Sequence, residues 1–284
     1  MKHLYFTKLS GAGNDFILFD KKINPEIELT PQIIDKLCKR RTGIGADGVL
    51  FISDLDGYAF EMRYFNSDGS TGSLCANGAR CAIRYGNVSG RLALNKINFI
   101  ANDIEYSGQV LENGQIKFFL NHPKKMKQNF KIKAANQLIS ASYVHTGSPH
   151  VVIKINDVLK NPADVNSFYN DINDFPVFEL GREIRFHKDF APEGTNVNFV
   201  QFDNNEIKIR SYERGVEEET LSCGTGSVAA ALISFVQDNF NPPIKIHPLS
   251  GDELTVDFKI ENQKVQELSL TGPAEIIFKG ELLI

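Results

Sequence analysis

The sequence predicts an α+β protein built from two alike, strand-rich halves, and three observations carry that reading. At 284 residues the chain has the length of about two domains. Short apolar runs of strand type, many of them aromatic, outnumber helix-like stretches along its whole length. Each half also places a cysteine in a Gly- or Asn-rich turn that leads into a helix-forming segment, "SLCANGARCA" at 73–82 and "LSCGTGSVAAA" at 221–231.

In chain order, "HLYFTKL" and "FILFD" read as strands with "SGAGND" as the turn between them. "TPQIIDKLCKRR" reads as a helix: Thr30 is the N-cap, Pro31 takes the first helical position, and basic residues close it. Strands follow at "GVLFIS" and "YAFEMRYF", then the turn "NSDGS" and a helix from Cys75 to about Gly86. "KINFIA", "IEYSGQVL" and "QIKFFL" are strands, with "ENGQ" as a hairpin turn. The cluster "HPKKMKQNFKIK" reads as a solvated loop or strand edge. In the second half "HVVIKI", "NVNFVQFD" and "IKIRSYE" precede the helix "GSVAAALISFV", which "NPP" closes, and "DELTVDF", "VQELSLTG" and "AEIIFKG" finish the chain.

The halves match locally. "NDFILFD" pairs with "NVNFVQFD", and "MRYFNSDGSTGSLC" with "IRSYERGVEEETLSC"; Arg63 lies 12 residues before Cys75 and Arg210 lies 13 before Cys223. The shared order points to an internal duplication.

Composition narrows the function. A formal net charge of −4 argues against a general nucleic-acid binder, which needs a basic surface. No stretch approaches the roughly 20 apolar residues of a membrane span. Nothing before Gly11 resembles a signal segment. Four cysteines are too few for a disulfide scaffold, so a reducing cytoplasm is the expected compartment. No metal is expected, because there is no Cys-x-x-Cys pair and the histidines lack ligand spacing. "GAGNDF" lacks the third glycine and the following helix of a dinucleotide loop.

An isolated free cysteine is usually a small core residue, and that reading suits Cys38 and Cys81. Cys75 and Cys223 leave two readings open, buried thiols near turns or an acid–base pair. A thiol at a helix N-terminus should have a lowered pKa, and the same backbone N–H groups bind carboxylates. Two such sites facing each other would grip one carboxylate and place a thiol on either face of the adjacent carbon. One thiolate would remove the α-proton while the opposite thiol delivers another, with the developing charge spread onto a carboxylate held by backbone donors.

At these residues the sequence resembles the diaminopimelate epimerases, along "GAGNDF", "RRTGIGADG", "FNSDGSTGSLCANGARC", "TGSPH", "GTNVNF" and "YERGVEEETLSCGTGS". The resemblance covers nearly the whole chain. It implies an isomerase of lysine biosynthesis that needs no cofactor and interconverts LL- and meso-2,6-diaminoheptanedioate through two cysteines. It also implies two pseudo-symmetric domains, residues 1–120 with 274–284 and residues 121–273. Each would be a curled, largely antiparallel strand layer around a central helix, with the active site in the interdomain cleft. A cytoplasmic homodimer with a small-molecule substrate, no nucleic acid and no membrane completes the expectation.

Carried over by motif, Cys75 and Cys223 are the acid–base pair, and the backbone at Ala76, Asn77, Gly224 and Thr225 holds the reacting carboxylate. Asn14, Asn66 and Asn196 contact substrate, and Arg214 binds the distal carboxylate. Glu213 meets a substrate ammonium group or assists a thiol; His150 is the other candidate thiol partner. Three positions depart from the family pattern: Ala76 replaces Gly, Ser148 replaces Asn, and Gly48 stands where some members carry a side-chain amide. One extra residue also precedes Cys223. Two rivals remain, a two-thiol racemase of the proline racemase type and a catalytically silent diamino-acid-binding protein. "YER" suits a second amino-acid head group rather than a small apolar proline pocket.

Overall fold

The computed structural model describes residues 3–72, 74–92 and 96–283. The chain divides into two compact units, residues 1–119 with 271–284 and residues 120–270.

The first unit begins with β1 (His3–Gly11) and β2 (Asn14–Asp20), an antiparallel hairpin whose two turn residues, Ala12 and Gly13, both have positive φ. Helix α1 (Pro31–Cys38) follows, with Thr30 Oγ1 accepting from Ile33 N–H and Pro31 in its first turn. β3 (Gly48–Ser53) runs parallel to β2 and antiparallel to β4 (Glu61–Asn66). Helix α2 (Ala76–Val88) is N-capped by Cys75. β5 (Lys96–Ala101) lies parallel to β4, and β6 (Ile104–Val110) and β7 (Ile116–Phe119) extend the layer antiparallel.

Strand alternation decides which side chains face which helix. Ile17, Phe19, Val49 and Phe51 pack with Ile34 and Leu37 of α1. Asn14, Phe16, Gly48, Leu50, Tyr64 and Asn66 therefore face the other side, toward α2, where Leu50 lies against Gly78. Ala76 to Ile83 of α2 are all buried, so this small-residue helix is a core helix rather than a surface one.

The second unit opens with β8 (Lys124–Ala134) and β9 (Gln137–His145), so of the two readings of the basic cluster, solvated loop or strand edge, it is a strand, paired with β9 in a register that shifts twice. β10 (Pro149–Lys154) is antiparallel to β9 and parallel to β11 (Asn196–Asp203). Between them the sequence reading passed over helix α3 (Val177–Arg185), whose Val177, Leu180, Gly181 and Ile184 form one buried face against the sheet. β12 (Glu206–Glu213) pairs antiparallel with β11 and with the short β13 (Glu218–Thr220). Helix α4 (Gly224–Asp238) is buried from Gly224 through Ser234 and ends at Asn239 in the left-handed conformation. β14 (Ile244–Pro248) is parallel to β12 and antiparallel to β15 (Leu254–Glu261); β16 (Lys264–Gly272) follows. The last strand, β17 (Glu275–Leu283), belongs to the first unit and pairs antiparallel with β1.

Both units use the same succession of pairings: a parallel pair, an antiparallel strand, a cysteine-capped helix and a further parallel strand. This succession corrects one internal alignment. β3, not β2, is the counterpart of β11, because each precedes the strand that leads to the cysteine. β2 corresponds to β10. The strings "NDFILFD" and "NVNFVQFD" look alike because both are half-polar, aromatic strands. Asn196 and Gly48 thereby occupy equivalent places at the start of their strands, each beside its parallel partner.

Candidate active site

In the first unit the site is built on the N-terminus of α2. Cys75 is its cap, and the Gly78 N–H points at Cys75 Sγ at 3.3 Å. Asn14, at the start of β2, lies at 3.8 Å from the same sulfur through Oδ1, which also accepts from Asn77 Nδ2 at 3.3 Å. Asn14 Nδ2 donates to Asp47 Oδ2 at 2.6 Å. Cys75, Asn14 and Asn77 are thus assembled directly, while Asn66 stands on the same sheet face with Nδ2 donating to Ser70 Oγ. Ala76 is buried in the first turn of α2. The first-turn amides of a helix are left over from its internal ladder, so this end carries donors of the kind that can hold an anion.

Gly48 has a clear local explanation. A Cβ there would lie 2.5 Å from a ring carbon of Tyr64 and 2.6 Å from the Phe65 carbonyl oxygen. Tyr64 fills the space, its ring edge against Phe16. The sequence reading did not single out this tyrosine.

In the second unit the site is denser. Cys223 caps α4 and is buried, with Sγ 3.8 Å from Thr225 Oγ1. Gly226 must be small, since a Cβ there would meet Asn198 Oδ1 at 2.2 Å and Cys223 Sγ at 3.2 Å. Burial, and then Glu213, push the Cys223 thiol well above its ordinary pKa, against the opposing pull of the Gly226 N–H and Thr225. The lowered pKa expected of a helix-capping thiol is therefore wrong for Cys223. Desolvation and a neighbouring carboxylate outweigh the first-turn amides.

His150 does not bond to the sulfur. Its ring is fully buried, and burial lowers its pKa to about 3, so it is neutral. Asn198 Oδ1 accepts from Ser211 Oγ, which turns Asn198 Nδ2 toward His150 Nδ1 at 3.1 Å. Nδ1 is then the acceptor and Nε2 carries the proton. Nε2 faces Thr225 Oγ1 at 2.9 Å and Ser148 Oγ at 2.8 Å. His150 is one hydroxyl removed from Cys223, whereas Glu213, which also accepts from Thr220 Oγ1, interacts with the thiol itself. Ser148 Oγ also accepts from Asn196 Nδ2, and Asn196 Oδ1 accepts from the Arg214 N–H at 2.9 Å. Asn196 thus ties the Arg214 backbone to Ser148. Arg214 Nη1 donates to the Glu193 carbonyl at 3.4 Å. Glu193 borders an open cavity of about 500 Å³, lined also by Lys125, Phe130, Tyr143 and Phe190.

Asp47, Asn198, Ser211, Thr146 and Tyr64 are among the members of these two clusters that sequence reasoning missed; Thr146 Oγ1 donates to the Thr225 carbonyl at 2.9 Å. Among the described residues no group of three or more His, Cys, Asp or Glu side chains is placed to hold a metal ion. Nor, among them, is any helix long and apolar enough to cross a membrane.

The chain matches the family described as Diaminopimelate epimerase over residues 6–99 and 142–277. A protein of Aquifex aeolicus named Diaminopimelate epimerase is 37% identical, covering 98% of this chain and 97% of that one. A protein of Chlorobaculum tepidum with the same name is 34% identical, covering 97% of this chain and 100% of its own. Among solved structures, a PhzF-family phenazine biosynthesis protein of Bacillus anthracis superposes with a TM-score of 0.72 at 17% identity, over 100% of both chains. A probable proline racemase from Agrobacterium radiobacter gives 0.70 at 11% identity, over 99% of this chain and 93% of that one. At such identities these two share the fold alone.

Proposed function

The chain belongs to the diaminopimelate epimerase family, an isomerase family, and from that premise we propose that it interconverts LL- and meso-2,6-diaminoheptanedioate by a two-thiol acid–base reaction. The observation that carries this reading is the repeated one: each unit presents a cysteine at the N-cap of its buried helix, ringed by Asn, Thr or Glu side chains.

The thiolate of one cysteine takes the α-proton, and the thiol of the other delivers a proton to the opposite face, which inverts the centre. First-turn amides at Ala76, Asn77, Gly224 and Thr225 hold the α-carboxylate and stabilise the charge that spreads onto it in the transition state. Cys223, kept protonated by burial and by Glu213, rests as the proton donor. After that turnover Cys75 carries the abstracted proton and Cys223 is the thiolate, and the reverse reaction runs from this second form. Glu213, beside Cys223, relays a solvent proton to or from its sulfur as the two forms interconvert, while Cys75 releases or regains its own. Arg214, its backbone set by Asn196, takes the distal carboxylate. Asn14, Asn66 and Ser148 contact the remaining polar groups of the substrate. His150 acts through Thr225. The carbanion needs no electron-sink cofactor in this scheme. The protein works as a homodimer in the cytoplasm.

Incubation of purified protein with LL-diaminopimelate in D₂O tests the reading. Deuterium should enter the α-position as the meso isomer accumulates. Binding without exchange would instead identify a silent diamino-acid-binding protein, and turnover of proline without diaminopimelate would identify a racemase.

A further inference from the structure

The Asn14 amide could present either its oxygen or its NH₂ to Cys75, and the two orientations have opposite chemistry. An oxygen accepts from S–H and favours the thiol; an NH₂ donates to sulfur and favours the thiolate. Which atom points where is settled by the partners on both sides. A carboxylate oxygen only accepts, and Asp47 Oδ2 lies 2.6 Å from the far end of the Asn14 amide. Turning the amide over would set two oxygens at that distance. On the near side, Asn77 Nδ2 donates to the same Asn14 oxygen that faces Cys75 Sγ.

Asp47 is itself held from several directions. Its Oδ2 also accepts from the Asp15 N–H at 3.0 Å, and its Oδ1 accepts from Arg40 Nη2 at 2.9 Å. Its own N–H meets Asp15 Oδ1 at 3.1 Å and the Asp15 carbonyl at 2.9 Å. Asp15 is paired in turn with Lys8 and Arg40. Burial and the neighbouring Asp15 raise the Asp47 carboxyl above its ordinary pKa, against the pull of the Asp15 N–H, the Asn14 NH₂ and Arg40, the three donors that favour its carboxylate. The arrangement follows from the parallel register of β2 and β3, which sets Phe16 beside Gly48 and so brings Asp47 to Asn14 and Asp15.

We propose that Asp47 is a positioning residue: its carboxylate locks the Asn14 amide with its oxygen toward Cys75, so that when Cys75 is the thiol, the form that donates in the reverse direction, its S–H is held toward Asn14 while the sulfur accepts the Gly78 N–H. The proposal rests on the two-thiol reading for its importance to turnover, but not for its measurement. Among the described residues, Lys8, Asp15, Asp47 and Arg40 are the charged groups tied into this corner of the site, and the buried thiol of Cys81 interacts electrostatically with Cys75 from the same helix.

The test is the pH dependence of iodoacetamide alkylation at Cys75, followed by mass spectrometry of the Cys75 peptide, in the parent, in Asp47→Ala and in Asp47→Asn. Alanine leaves the Asn14 NH₂ without its acceptor and releases the amide to turn that NH₂ toward the sulfur. Asparagine removes the same charge but keeps an oxygen for its two donors, Asn14 Nδ2 and the Asp15 N–H. The Cys75 midpoint in Asp47→Ala should lie about one pH unit below that in Asp47→Asn, and kcat/KM should fall about tenfold in Asp47→Ala. A purely structural Asp47 would lower Tm without separating the two midpoints. Equal midpoints in folded Asp47→Ala and Asp47→Asn overturn the proposal. If either variant does not fold, neutron diffraction of deuterated parent crystals decides: an Asn14 ND₂ group on the Cys75 side overturns it equally. Alkylation is read without substrate, so failure to epimerise diaminopimelate sinks the two-thiol reading and leaves this result standing.

Discussion

The ring of Tyr64 occupies the place where a side chain at position 48 would begin, 2.5 Å from the point a Cβ would take. Gly48 is the counterpart of Asn196 in the other unit, so a position that carries an amide there carries an aromatic ring from the neighbouring strand here. Gly48→Ala should therefore destabilise the protein by about 1–3 kcal/mol, the ordinary cost of overpacking. Tyr64→Ala should relieve only part of that in the double variant, because the Phe65 carbonyl also crowds the site at 2.6 Å. Urea denaturation of the two single variants and the double variant measures it. An additive double variant would mean that Tyr64 and position 48 do not compete for space.

Cys75→Ser and Cys223→Ser should each reduce epimerisation to near nothing while leaving the circular dichroism spectrum unchanged. A hydroxyl is a far weaker base than a thiolate at neutral pH, and the exchange is nearly isosteric. Cys38→Ser is the control. Burial drives its thiol up to about 12, and its side chain lies in the α1 core. Its activity should match the parent even if its Tm does not. Parent-like turnover by Cys75→Ser would end the two-thiol mechanism.

What the sequence made legible was local. Thr30 and Pro31 announced the start of α1, and the small residues after Cys75 and Cys223 announced α2 and α4, because capping is written within three or four residues. Helix α3 was readable from its i, i+3, i+4, i+7 apolar spacing but lies in a long stretch rich in turn residues. Asp47 was invisible for a different reason. It meets Asn14 across 33 residues of chain, through a parallel strand register that no spacing reveals. The same holds for Cys223: both Glu213 and His150 stood in the motifs, and only the fold shows that Glu213 reaches the sulfur while His150 stops at Thr225. Its raised pKa followed from burial, which a turn motif does not disclose.

Arg214→Lys should lower kcat/KM by at least about tenfold, or roughly 1.4 kcal/mol. The backbone of Arg214 is held by Asn196, and its guanidinium already spends one N–H on the Glu193 carbonyl. A carboxylate would take a parallel pair of the remaining donors, a fork that an ammonium cannot reproduce. Steady-state kinetics with LL-diaminopimelate is the measurement. An unchanged kcat/KM would make Arg214 a structural arginine of the loop after β12.

His150 gives a prediction about stability rather than rate. Its pKa falls from an ordinary 6.5 to about 3 on folding, because burial penalises the imidazolium. Above pH 6.5 the ring is neutral in both states and contributes no pH dependence. Below it the unfolded chain takes up a proton that the folded protein refuses, so stability is lost as pH falls from 6.5 toward 3. At pH 5 the loss from this one group is about 2 kcal/mol relative to pH 7. His150→Gln removes the titration while keeping a side chain able to meet Thr225. It should lower stability at pH 7, since the buried polar cluster with Ser148, Thr225 and Asn198 is disturbed. Its stability should nevertheless decline less steeply between pH 7 and 5 than that of the parent. Other groups, His145 among them, titrate in the same window, so the difference between the two slopes is the quantity to read. Equal slopes in parent and variant would show that His150 is protonated in the folded protein, and the assignment of its proton to Nε2 alone would fall with it.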